Sequence, residues 1–167
     1  MAAEASVESA PMSEPNPRPS IEQLARYAEL FNASLTLNHF GLKVSFPDRD
    51  TVRVDLTKVR PEHRGGLGTD AVNGGVLAAV FDLAIGCTPA LVDPTLRAAT
   101  VQLSMSFERA TTGDSISALA WVDRAGETML FATAVIRDQA GAECARCHGV
   151  VRRSNLPWLS GGSPATN

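Results

Sequence analysis

The sequence predicts an α+β domain in which an antiparallel sheet of five to six strands wraps around one long central helix. Residues 72–92, VNGGVLAAVFDLAIGCTPALV, form one apolar stretch whose single formally charged side chain is Asp82. Apolar side chains occupy every face around that acid, which is the pattern of a buried helix rather than an amphipathic one. Alternating apolar and polar runs lie on both sides of the stretch, and short polar turns join successive runs. Strands joined by short turns are antiparallel. With one apolar helix to cover, such a sheet curls around it. Its outer face and edges stay open, which favours a homodimer or homotetramer.

The chain has 167 residues, 44% hydrophobic and 20% charged, which suits one globular domain. Residues 1–20 hold Pro11, Pro15, Pro17 and Pro19 among Ala, Ser and Glu, and read as a disordered leader. Ser20 opens a short helix as N-cap, with Gln23 placed for a capping box. Ile21, Leu24, Ala25, Ala28 and Phe31 share one face of it. Residues 40–46 alternate through Leu42, Val44 and Phe46, and residues 51–57 through Val52, Val54 and Leu56. The intervening Pro47-Asp48-Arg49-Asp50 is a turn, so the two runs form a hairpin. A polar loop over 58–72 leads into the central helix. Asn73 is a favoured N-cap, Gly74-Gly75 allows close approach to the backbone, and Gly86 and Pro89 mark the end. Four strands follow, at 98–108, 115–122, 128–137 and 142–152. In the first of them Ala99, Val101, Leu103, Met105 and Phe107 alternate with Thr100, Gln102, Ser104 and Ser106. The domain therefore spans 21–153, and 154–167 reads as a flexible tail.

Several function classes are disfavoured. A net charge of -3 gives no reason to expect a nucleic-acid partner. The apolar stretch approaches the ~20 residues of a membrane span. Gly74, Gly75, Asp82 and Pro89 interrupt it, so no membrane partner is expected. No basic region followed by an apolar core opens the sequence, so the expected compartment is the cytoplasm, with Cys87, Cys144 and Cys147 reduced. Cys144-Ala145-Arg146-Cys147-His148 has the form of a haem-attachment string. It falls in a strand, where positions three apart face opposite sides, and it lacks the second pair of a zinc knuckle. His39, His63 and His148 are scattered, and neither a nucleophile elbow nor a phosphate-binding glycine loop occurs. No metal or cofactor is expected.

The helix mouth and its acid define a candidate site. Backbone N–H groups at a helix N-terminus bind a developing oxyanion, and Gly74 and Gly75 are the candidate donors. Asp82 is placed to act as general base on water or as nucleophile. The plainer alternatives are a structural acid at Asp82 and a glycine pair that permits tight packing. Nine residues at ~100° each turn Asn73 and Asp82 to opposite sides, ~13.5 Å apart along the axis. One chain therefore cannot aim both ends at one carbonyl, whereas two antiparallel central helices can.

Asn73-Gly74-Gly75 followed by Asp82 resembles the His-Gly-Gly-to-acid signature of hotdog-fold acyl-CoA thioesterases, the PaaI-like and 4-hydroxybenzoyl-CoA thioesterase group. The likeness covers residues 40–153. It implies the hotdog fold and hydrolysis of an acyl-CoA substrate to free acid and CoA. Asp82 would be the catalytic acid, Gly74 and Gly75 would polarise the carbonyl, and the site would be composite across a dimer. Thr100 aligns with a strand Ser or Thr that in some members holds the attacking water. Asn73 replaces the family's His; Leu67 and Asp70 stand where many members carry Asn or Gln, and Gly. These departures keep open a non-catalytic hotdog protein that binds acyl-CoA or another hydrophobic ligand. A hydratase or dehydratase fits less well, because no His follows Asp82 before His148. Arg60, Arg64, Arg97, Arg109 and Arg137 are candidates for the CoA phosphates.

Overall fold

The computed structural model describes residues 18–65 and 68–157. Two short helices, α1 (Ile21–Asn32) and α2 (Leu35–Phe40), precede the hairpin β1 (Leu42–Ser45) and β2 (Val52–Leu56). The central helix α3 (Gly74–Gly86) follows, extended by a 3-10 turn over Thr88–Leu91. The chain then makes β3 (Leu96–Phe107), β4 (Ile116–Ala125), β5 (Met129–Asp138) and β6 (Glu143–Pro157). All six strands join one antiparallel sheet in the order β1-β2-β4-β5-β6-β3. Helix α3 packs against every strand. The expected hotdog architecture is therefore present.

The helix sits close to the sheet because the sheet has a gap for it. A Cβ added at Gly149 of β6 would lie 2.5 Å from Cγ2 of Ile85 on α3. Val80, Phe81 and Ile85 of α3 share one core cluster with Val54, Ile136 and Val151, all fully buried. In β2 the alternation works as expected, with Val52, Val54 and Leu56 inward.

Several local expectations need correction. The first helix forms with its capping box: Gln23 N–H donates to Ser20 Oγ at 3.2 Å, and Ser20 N–H to Gln23 Oε1 at 2.8 Å. Its inward face is rotated, however. Leu24 and Ala28 are buried and Tyr27 and Phe31 half-buried, while Ile21 and Ala25 face solvent. Helix α2 was not expected, since LTLNHF is too short to show a period; Ser34 caps its start and Gly41 ends it in the left-handed conformation, φ 70°. Residues 18–20 of the expected leader pack on the domain: Arg49 donates to the carbonyls of Arg18 and Pro19, and Arg18 pairs with Asp50 at 2.7 Å. Residues 1–17 lie outside the described residues. Strand β6 continues to Pro157, so residues 154–157 are strand, and residues 158–167 lie outside the described ones.

The alternation of β3 is broken by a bulge. Thr100 pairs with Val151, but Gln102 pairs with Val150, leaving Val101 as the extra residue. Thr100 and Leu103 thereby both face the core side, and Val101 is exposed. Bulges of this kind re-aim side chains.

The contact at Gly149 yields a test. Gly149→Ala forces a methyl group onto Ile85 inside a fully packed core, and overpacking of that kind costs about 1–3 kcal/mol. Urea unfolding should show that loss, and a variant as stable as the parent would contradict the close approach.

Candidate active site

The mouth of α3 is held from outside the helix. Asn73 N–H donates to the His63 carbonyl and Val72 N–H to the Thr111 carbonyl, both at 2.8 Å. Asn73 is the N-cap, as expected, and its Oδ1 accepts from Gly75 N–H at 2.8 Å. Of the two amides expected to serve an oxyanion, Gly75 is therefore already engaged. Gly74 N–H makes no hydrogen bond within the described residues. The Phe107 ring of β3 stands over this end, 3.8 Å from where a Gly74 Cβ would be.

Helix α3 is not buried on all sides. Asn73, Gly74, Gly75 and Asp82 are exposed in the single chain, and Ala78, Ala79 and Gly86 are only partly covered. The sheet wraps one side of the helix and leaves this row of small residues open. Seven residues at ~100° place Gly75 and Asp82 on the same side, ~10.5 Å apart along the axis. The opposition of faces expected for Asn73 and Asp82 does not extend to Gly75, which is set apart from Asp82 only along the axis. Asp82 pairs with no Arg or Lys among the described residues, which removes the ion-pair explanation for it within one chain.

Asp82 and Thr100 meet in one cavity of ≈ 160 Å³ between α1, α3 and β3. The bulge at Val101 turns Thr100 inward, and Gly86 leaves room for it: a Cβ there would lie 3.2 Å from Thr100 Oγ1. Ala98 forms part of the wall, and Tyr27 and Phe31 of α1 close the cavity. The sequence places Phe31 on the apolar face of α1 but marks neither aromatic as a site residue, although Tyr27 and Phe31 stand one helical turn apart. Asn73, Gly74 and Gly75 do not line this cavity, nor does any His.

Cys87, Cys144 and Cys147 are free and buried. Burial pushes the Cys87 thiol up to about 12 and the Cys147 thiol up to about 11, and in both the Asp82 charge adds to the rise. Among the described residues no group of three His, Cys, Asp or Glu is placed to hold a metal.

Of the arginines expected to meet phosphates, Arg60 pairs with Glu62, Arg64 with Asp114 and Arg137 with Glu143. Arg97 and Arg109 form no ion pair among the described residues. Arg97 shares a hollow of ≈ 460 Å³ with Arg152 and Arg153, and Ala98 lines both this hollow and the Asp82 cavity. Arg153 already donates to the carbonyls of Gly126 and Glu127, at 2.9 and 2.7 Å; neither it nor Arg152 stood out in the sequence, because an arginine's partners show only in three dimensions. A larger hollow of ≈ 560 Å³ along β2 and β4 holds Arg53 and Arg137, each already paired with a carboxylate.

Comparison with known proteins agrees with the fold. Residues 70–145 match the family model of the thioesterase superfamily. The PaaI protein of the Escherichia coli phenylacetic acid degradation operon superposes with a TM-score of 0.72 at 17% identity, covering 82% of this chain and 97% of that one. A Shewanella oneidensis protein related to the thioesterase superfamily gives 0.72 at 24% identity, over 80% and 96%. A thioesterase from Haemophilus influenzae gives 0.69 at 17% identity, over 80% and 91%. No curated protein sequence matches significantly. The resemblance to PaaI-like hotdog thioesterases that the sequence carried is borne out.

The raised thiols set a pH dependence. Their ordinary value is 9.0, so above it the unfolded chain ionises while the fold keeps the protons. Stability is then full below pH 9 and declines as pH rises toward 11, by up to about 1.4 kcal/mol per pH unit per thiol. Tyr27, whose hydroxyl burial also pushes up, adds the same sign above its ordinary value of 10.0. Urea unfolding across this range should show the decline, and Cys87→Ala with Cys147→Ala should flatten it. An unchanged slope in the double variant would contradict the assignment.

Proposed function

We propose that this hotdog chain, with its match to the thioesterase superfamily, is an acyl-CoA thioesterase that hydrolyses its substrate to a free acid and CoA. The observation that supports the reading most is that Asp82 and Thr100 line one cavity, which Thr100 reaches through the β3 bulge. Asp82 acts as general base on water or attacks the carbonyl carbon itself, and Thr100 helps hold the water. Negative charge grows on the carbonyl oxygen. A helix N–H with no partner is a preorganised donor for it, and Gly74 is that donor.

Gly74 and Asp82 of one chain stand ~12 Å apart along the helix, so one thioester needs Asp82 from one chain and Gly74 from another. Two surfaces fit a second copy. Strand β3 is an edge strand twelve residues long, and its Val101 and Phe107 are exposed apolar side chains. Long unpaired edges seek a partner. Beside it lies the open row of small residues on α3. We read the protein as a cytoplasmic homodimer or homotetramer, with the phosphates of CoA on Arg97 and Arg152, whose planar forks suit phosphate.

One observation favours a second reading. Asn73 holds the Gly75 N–H, so the oxyanion has a single free donor. A protein that only binds acyl-CoA fits that geometry as well.

Asp82→Asn separates the readings. Turnover of a panel of acyl-CoAs, followed by thiol release, should fall by on the order of 10²–10⁴, with little change in melting temperature, because the carboxylate has no ion pair to lose within the chain. A variant with full turnover excludes Asp82 from the chemistry. A parent protein that binds the panel and releases no thiol is a binding protein.

A further inference from the structure

Tyr27 separates two hollows. On one side is the ≈ 160 Å³ cavity at Asp82. On the other is an open groove of ≈ 360 Å³ between α1 and the segment around Pro94, with Leu30, Thr95 and Pro157 in its walls. Among the described residues Tyr27 alone lines both. Its ring is held from three directions. It stacks on Phe31 with centroids 5.6 Å apart and planes at 11°, and it meets Phe46 edge-on at 5.8 Å and 77°. Its hydroxyl reaches toward Cys87 Sγ, 4.0 Å away. A ring packed in this way does not swing aside without breaking its contacts.

We propose that Tyr27 sets the length of acyl group the site accepts. This rests on the thioesterase reading above and goes beyond it by naming the substrate class. At ~30 Å³ per water-sized group the cavity takes about five non-hydrogen atoms, which is a short acyl chain. A longer chain runs into the Tyr27 ring. Without the ring the cavity continues into the groove, where Leu30, Pro94 and Pro157 offer further methylenes apolar contact beside Gln23 and Arg26. Helix α1 thus supplies the specificity of a reaction carried out on α3 and β3.

The test measures kcat/KM for butyryl-, hexanoyl- and decanoyl-CoA with the full chain and with Tyr27→Leu and Tyr27→Phe. The parent should lose at least about tenfold between hexanoyl and decanoyl, the scale on which a few methylenes discriminate in an apolar pocket. Tyr27→Leu should raise the decanoyl-to-hexanoyl ratio by about tenfold. Tyr27→Phe should keep the parent ratio, because the wall is the ring and not the hydroxyl. A parent protein that takes decanoyl as readily as hexanoyl overturns the proposal, even where the Leu variant fails to fold. A folded Tyr27→Leu with an unchanged ratio overturns it too. Thiol release by the parent from none of the three overturns the length limit, and release from none of the wider acyl-CoA panel removes the thioesterase reading as well, so the two failures are told apart.

Discussion

The structure depends on how closely one helix lies against one sheet. Gly149 lets Ile85 of α3 come within van der Waals range of the β6 backbone, and every strand then contacts that helix. A curled sheet of six strands covers only part of a helix, so the packing that buries Val80, Phe81 and Ile85 leaves Gly75, Ala78, Ala79 and Asp82 at the open side. The same geometry that makes the core therefore presents the acid. Asp82 is tolerated in so apolar a helix because it is exposed in the single chain; among the described residues no counter-charge pairs with it.

The remaining site features follow from how β3 is laid along that open side. As the edge strand it has a free row of backbone groups, and its bulge at Val101 is what turns Thr100 toward Asp82 while Leu103 and Met105 stay packed on the core. Helix α1 crosses the end of the cavity with Tyr27 and Phe31. Each of the three elements brings something the other two lack: a carboxylate, a hydroxyl and an apolar wall. The proposed oxyanion donor is missing from this set, since Gly74 sits at the far end of α3. That gap within a single chain, next to an unpaired edge, is the physical case for a second copy.

Much of this was legible in the sequence. The central helix and its cap at Asn73 follow from local rules, and the inward residues of β2 follow from a clean period of two. The spacing of Asp82 from Asn73, together with the glycine pair, carried the family resemblance. What was not legible has a common cause. Periodicity counts Ala and Gly as apolar wherever they fall, so the open face of α3 read as buried. A bulge adds a residue without changing composition, so β3 read as a regular alternation. Tyr27 sits on the flank of the apolar stripe of α1, where sequence alone does not say whether it turns in. The pairing of arginines is set by residues remote in the chain, which left Arg152 and Arg153 unnoticed.

The central claim is that one site takes Asp82 from one chain and the Gly74 N–H from another. Gly74→Pro removes that donor alone. Proline is favoured at the first helical position, and Asn73 before it already has the extended backbone, ψ 136°, that a residue preceding proline adopts. Asp82→Asn and Gly74→Pro proteins, each impaired alone, should be unfolded together and refolded as a mixture. Mixed dimers then contain one site with both groups intact, and roughly a quarter of the parent activity should return if each dimer has two equivalent sites. Activity no greater than the average of the two separate variants would contradict a site shared between chains.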